Sequence, residues 1–154
     1  MADSGITPLF VDTGAFYAYF DANASRHDRA SAVFDAIARG AINYRPLYTT
    51  THVLAELSTL LLRKRDHAAA VRGLTRIRNS PAFTVVQPTD DEFAAACRQF
   101  DRYDDQQITL VDHLTAALAA ERSTDHVFAF DSDFRTLGLT LVPDEIHVPD
   151  ADSE

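Results

Sequence analysis

Apolar positions along this chain alternate between two rhythms: short unbroken runs, and longer stretches with apolar residues three and four apart. Leu9, Phe10 and Val11 form a compact run that ends on Asp12, after which Thr13 and Gly14 turn the chain. A run apolar on both faces predicts a buried strand with its functional group at the carboxyl end. An aromatic-rich helix is expected over 15–20. A second is expected over 27–39, where Ala30, Val33, Phe34 and Ile37 share a face and Gly40 closes the helix. A strand over 47–50 then precedes a strongly periodic helix over 52–65. Asp66 is placed to cap the next helix, which carries Ala70, Val71, Leu74 and Ile77 and ends near Asn79-Ser80-Pro81.

The alternation continues to the C-terminus. Residues 83–86 read as a strand, and Thr89 and Asp90 open a helix that ends near Asp101. A polar loop over 101–107 leads into a helix over 109–122. Residues 127–130 read as a strand that runs into Asp131, a helical turn follows through Phe134 and Leu137, and 139–142 is a last strand. Strands alternating with helices predict an α/β fold, a three-layer α/β/α sandwich around a mostly parallel sheet. One domain is expected over 8–143, with tails at 1–7 and 144–154 and a frayed acidic end after Asp150. Ligands of open α/β sheets sit beyond the carboxyl ends of the strands. Asp12 and Asp131 fall at two such ends, so the topology predicts that they can meet.

Composition narrows the class. With 154 residues and 46% apolar residues, the chain can bury a core without covalent staples. A single cysteine, Cys97, excludes an intrachain disulfide and a CxxC zinc site, and its alanine-rich surroundings suggest a small buried hydrophobe. The first residues lack the basic and apolar regions of a signal peptide, and no apolar run spans a bilayer, so a cytoplasmic protein without membrane contact is expected.

Charge pulls in two directions. The net charge of −9 opposes a polyanionic partner but suits a protein that concentrates carboxylates around cations. The basic residues are unevenly spread: Arg63, Lys64, Arg65, Arg72, Arg76 and Arg78 share one segment with only Asp66 opposing them. That segment is a candidate guide for a phosphate backbone, or simply a solvated helical face.

Acids at four places in the chain are candidates for chemistry. Asp12 ends a buried strand, where an unpaired carboxylate is costly, and Thr13 beside it can orient it. Glu56 borders the apolar face formed by Val53, Leu57 and Leu60, so it needs either a metal ion or an arginine partner. Asp112 follows Thr109 by three residues, the spacing of a capping box, and it can also face the strand ends. Asp131 and Asp133 flank Ser132 after a strand and can cap the turn or bind a ligand. Four like charges at one sheet edge persist mainly when cations neutralise them, and an all-oxygen donor set favours Mg2+ or Mn2+. The histidines at 27, 52, 67, 113, 126 and 147 show no ligand pairing for zinc.

Four segments together resemble the PIN-domain family, above all its VapC toxins: Phe10-Val11-Asp12-Thr13, Thr51-His52-Val53-Leu54-Ala55-Glu56-Leu57, Thr109-Leu110-Val111-Asp112-His113-Leu114-Thr115-Ala116, and Ala129-Phe130-Asp131-Ser132-Asp133-Phe134. They occur in order across residues 9–142. The resemblance implies a PIN-like sandwich and a metal-dependent endoribonuclease. It places Asp12, Glu56, Asp112 and Asp131 as catalytic, metal-binding acids, with Thr13 and Asp133 as accessories. It also implies RNA as substrate, of the transfer or ribosomal kind, a cognate VapB-like antitoxin, and a homodimer. Arg63, Lys64, Arg65, Arg72 and Arg76 are the candidate RNA contacts. Hydrolysis would leave 5′-phosphate and 3′-hydroxyl ends.

Three other readings stay open at this point. One is a housekeeping RNA-processing nuclease of the same family. Another is a phosphatase using Asp131 and Asp133, although the Gly-Thr continuation of such sites is missing. The third is a catalytically silent interaction module whose acids only cap turns and helices.

Overall fold

Alternate residues of the first strand point to opposite sides of the sheet, and each side has its own core. Leu9 and Val11 join one buried cluster and Phe10 the other. The same division splits Phe128 from Val127 and Val142 from Leu141. The computed structural model describes residues 5–104 and 106–151; the expectations for residues 1–4, Asp105 and 152–154 lie outside these.

Strands β1 (Thr7–Val11), β2 (Tyr44–Thr50), β3 (Phe83–Val86), β4 (His126–Phe128) and β5 (Thr140–Val142) form a sheet ordered β3-β2-β1-β4-β5. Every pairing is parallel. Helices α1 (Thr13–Phe20), α2 (His27–Ala38), α3 (Thr51–Lys64) and α4 (His67–Asn79) pack on one face, through residues such as Phe16, Val33, Leu57 and Ile77. Helix α6 (Leu110–Glu121) covers the other face with Leu118 and Ala119, and α5 (Asp90–Arg102) lies against α6. The short α7 (Asp133–Thr136) plugs that core with Phe134. The three-layer α/β/α expectation holds, and the sheet is wholly parallel.

Several elements differ from the expectation for local reasons. Helix α1 starts at Thr13, because the Asp12 side chain caps it by accepting from the Gly14 N–H at 3.4 Å. Strand β2 starts three residues early and passes through Pro46. A proline cannot donate to the ladder, and the register against β1 shifts between Thr7 and Leu9, alongside it. In α4 the buried stripe is Ala70, Gly73 and Ile77, while Val71 is exposed. Gly73 permits this close approach: a Cβ there would lie 2.8 Å from Leu61 Cδ1. Helix α5 continues to Arg102 and buries only Ala96, so Cys97 is half-buried rather than a core residue. Gly40, at φ +76°, closes α2 as expected.

Residues 144–151, expected to form a tail, fold back onto the domain. Val148 and Ala151 are fully buried in the α1–α4 core, and Arg29 donates to the Ala151 carbonyl at 3.3 Å and to Asp144 at 3.1 Å. Charge in the sequence obscured two small apolar residues that find room in an existing cluster.

Candidate active site

The carboxyl ends of the central strands open into a cleft of about 630 Å³. Asp12, Glu56, Asp112 and Asp131 all line it, so acids from four separate segments meet where the topology predicted. Asp12 arrives at the end of β1, Glu56 from the second turn of α3, Asp112 from the first turn of α6, and Asp131 just after β4. The helix starts are fixed locally. The Thr50 hydroxyl accepts from the Val53 N–H at 2.9 Å, and the Thr109 hydroxyl accepts from the Asp112 N–H at 3.2 Å. Thr109 thus caps the helix, and the Asp112 side chain is nonetheless buried at the cleft.

Thr13 does not orient Asp12 through its side chain, as the sequence suggested. Its hydroxyl donates to Glu56 Oε1 across 43 residues of chain, a pairing no local pattern reveals. None of the ion pairs between described residues includes Glu56, so the arginine partner considered for it is not what holds it. Asp131 Oδ1 accepts from the Asp133 N–H at 2.9 Å, which ties the two acids into one turn.

The electrostatics show what this gathering costs. Asp12 is 6% exposed, and one of its oxygens, Oδ1, is buried without a partner. Burial foremost, with repulsion from Asp112 and Glu56, pushes its pKa up to about 8, against the pull of the Thr13 and Gly14 backbone N–H groups. Burial also raises Asp112, to about 6, with Asp131 and Glu56 adding repulsion and Thr109 opposing it. Asp133 is raised by burial and then by Asp131. Asp112 is therefore coupled to both Asp12 and Asp131, and Glu56 presses on Asp12 and Asp112.

The donors suit a hard divalent cation. Carboxylate oxygens of Asp112, Asp131 and Asp133 lie within 4.8 Å of one another. Asp133, an accessory in the sequence expectation, belongs to this tight group; Asp12 and Glu56 line the same cleft outside it. Among the described residues, no histidine lines the cleft. His113, next to Asp112 in the chain, instead meets the rings of Tyr103 and Phe100 edge-on.

The basic candidates scatter. Arg63 lines the cleft. Lys64 and Arg72 are exposed. Arg65 pairs with Asp21 at 3.0 Å, and Arg76 lies over the Tyr19 and Phe20 rings while donating to the Tyr19 hydroxyl at 3.3 Å. Among the other lining residues, Arg26 and Phe130 had no role in the sequence expectation. Phe130 lay in plain view inside the last acidic motif. Arg26 carried no signal, because only the tertiary fold brings the start of α2 to the strand ends.

Comparison with known proteins agrees with this architecture. A model of the PIN domain matches residues 9–138. The 23S rRNA-specific endonuclease VapC20 of Mycobacterium tuberculosis is 31% identical over 137 residues, covering 89% of this chain and 99% of that protein. The crystal structure of VapC20, described as a Sarcin-Ricin loop cleaving toxin, superposes with a TM-score of 0.77 over 86% of this chain and 96% of its own. VapBC2 from Rickettsia felis, bound to a promoter DNA fragment, shares the fold at 12% identity and a TM-score of 0.62, over 88% of this chain and 97% of that one. FitAcB from Neisseria gonorrhoeae shares it at 17% identity and 0.61, over 86% and 95%. By sequence and fold, the chain belongs to the PIN-domain family.

Proposed function

We propose that this protein is a metal-dependent endoribonuclease and the toxin of a toxin–antitoxin pair. One observation carries the reading: a buried Asp12, with an unpartnered oxygen and a pKa near 8, sits in a cleft with three more carboxylates. An arrangement so unfavourable when empty of charge partners is explained by a cation that it is built to receive. Asp12, Glu56, Asp112 and Asp131 would hold the ion, with Asp133 supporting Asp131. Oxygen donors alone favour Mg2+ or Mn2+. Bound there, the ion would acidify attacking water and offset charge on the phosphate.

The chain's own groups set the geometry. Thr13 fixes Glu56, the Gly14 N–H holds one Asp12 oxygen, and the Thr109 cap aims the first turn of α6 at the cleft. Loss of the proton from Asp12 is coupled to filling the site. With no histidine among the described residues that line the cleft, none is placed to activate a ribose hydroxyl, and hydrolysis would release the 3′ oxygen and leave 5′-phosphate ends.

The relative's description as a cleaver of the sarcin–ricin loop makes ribosomal RNA the first substrate to try. A toxin also needs restraint. An apolar groove lined by Phe16, Tyr19, Phe20 and Phe34 between α1, α2 and α4 offers an antitoxin its anchors, and an arginine of the antitoxin would suit the acidic cleft. The test is expression of wild type and Asp112→Asn in a bacterial host, with mapping of new RNA 5′ ends. New 5′-monophosphate ends in ribosomal RNA with wild type alone support the reading. Identical end maps for both proteins would refute it.

A further inference from the structure

An acid-lined cleft repels the polyanion it is proposed to cut, so something there must grip phosphate besides the metal. Two cations line the cleft, Arg26 and Arg63. Both share the cleft with four carboxylates, and none of the ion pairs between described residues includes either. Arg26 is the more unusual. Its guanidinium carbon instead lies 5.3 Å from the centre of the Phe130 ring, the residue immediately before Asp131.

Phe130 is itself secured. Arg29 also approaches its ring, at 5.7 Å, and Arg29 is tied to Asp144 and to the Ala151 carbonyl. The folded-back segment 144–151, beyond the matched PIN region, thereby supports one wall of the cleft. A guanidinium resting on an aromatic face keeps its edge donors free for a bidentate phosphate contact. Lying over the ring, the guanidinium pairs with none of the acids of the described residues.

We propose that Arg26 binds an RNA phosphate next to the scissile bond, and that Phe130 is the positioning residue that presents it. The proposal rests on the nuclease reading above and adds to it a substrate contact on the start of α2.

The experiment uses a fluorescent RNA hairpin carrying the sarcin–ricin loop. Cleavage is measured in magnesium for wild type, Arg26→Ala and Arg26→Lys. Binding is measured by anisotropy in an Asp112→Asn background, between about 50 and 200 mM salt. Arg26→Ala should raise KM by about ten- to a hundred-fold, the range of a lost charged hydrogen bond, with kcat nearly unchanged. It should also reduce the slope of log affinity against log salt by about 0.7, one single-strand phosphate contact. Arg26→Lys should restore the slope but only part of KM, since it keeps the charge without the planar fork. Phe130→Leu should weaken the manganese-induced rise in Tm, by letting Arg26 turn to the acids, and adding Arg26→Ala should restore it. If wild type cleaves the hairpin while Arg26→Ala leaves KM and slope unchanged, the proposal is overturned and the nuclease reading stands. If wild type neither binds nor cleaves it, both fall together.

Discussion

Consider the Asp12→Asn protein stripped of metal. Asp12 is buried and its pKa is raised from 3.8 to about 8, by desolvation first and then by Asp112 and Glu56. Near neutral pH the unfolded chain ionises this group, whereas the folded, metal-free protein holds it mostly protonated. Folding therefore takes up close to one proton. Because the folded pKa is the higher one, the associated stability is fully present below about pH 4 and lost as pH rises through about 8. At about 1.4 kcal/mol per unit, the loss amounts to about 4 kcal/mol by pH 7. Asparagine has no charge to lose, keeps the shape, and can place its amide group where the unpartnered Oδ1 now stands among carboxylates. In EDTA the variant should thus match wild type near pH 4 and exceed it near pH 8. For a domain of this size, about 4 kcal/mol corresponds to a Tm rise of roughly 8–16 °C. Thermal melts across that pH range decide the matter. Parallel curves for the two proteins, or a variant less stable near pH 8, would show that Asp12 does not lose stability by ionising in the folded protein.

Other consequences are more easily measured. Magnesium or manganese at about a hundred times its Kd should stabilise wild type by about 2.7 kcal/mol, and Glu56→Gln by clearly less at the same concentration; equal Tm shifts would remove Glu56 from the site. Thr13→Val should lower cleavage with an unchanged urea midpoint, and Thr13→Ser should restore activity, because only the hydroxyl to Glu56 is at stake. Phe16 is buried among the Phe20, Phe34 and Phe83 rings, so Phe16→Ala should cost about 3–5 kcal/mol in urea unfolding with little change in m-value.

Much of this molecule was legible in sequence because its strongest signals are local or periodic. The apolar run ending at Asp12 declared a buried strand, and Thr109 and Asp112 declared a helix start. Strand ends and helix starts share one edge of a parallel sheet, so convergence of the acids followed from topology. What escaped depends on distant contacts. Nothing near Thr13 points to Glu56, and nothing near Arg26 points to Phe130. Gly73 reads as a weak helix residue until Leu61 and Phe20 are seen against it. Val71 reads as core until the stripe is found one residue away. Residues 144–151 look like a tail because their charges outnumber the two small side chains that anchor them. Pro46 argues against a strand unless the register shift beside it is known.

If the acid cluster holds a cation that cuts RNA, cleavage must depend on the metal and on Asp112 together. Purified wild-type protein and Asp112→Asn are each incubated with the sarcin–ricin hairpin in EDTA and then in increasing magnesium or manganese, and the product ends are analysed. Wild type should cleave only with metal and leave 5′-phosphate ends, and Asp112→Asn should not cleave at any metal concentration. Cleavage that persists in EDTA, or that Asp112→Asn performs at the wild-type rate, would contradict it.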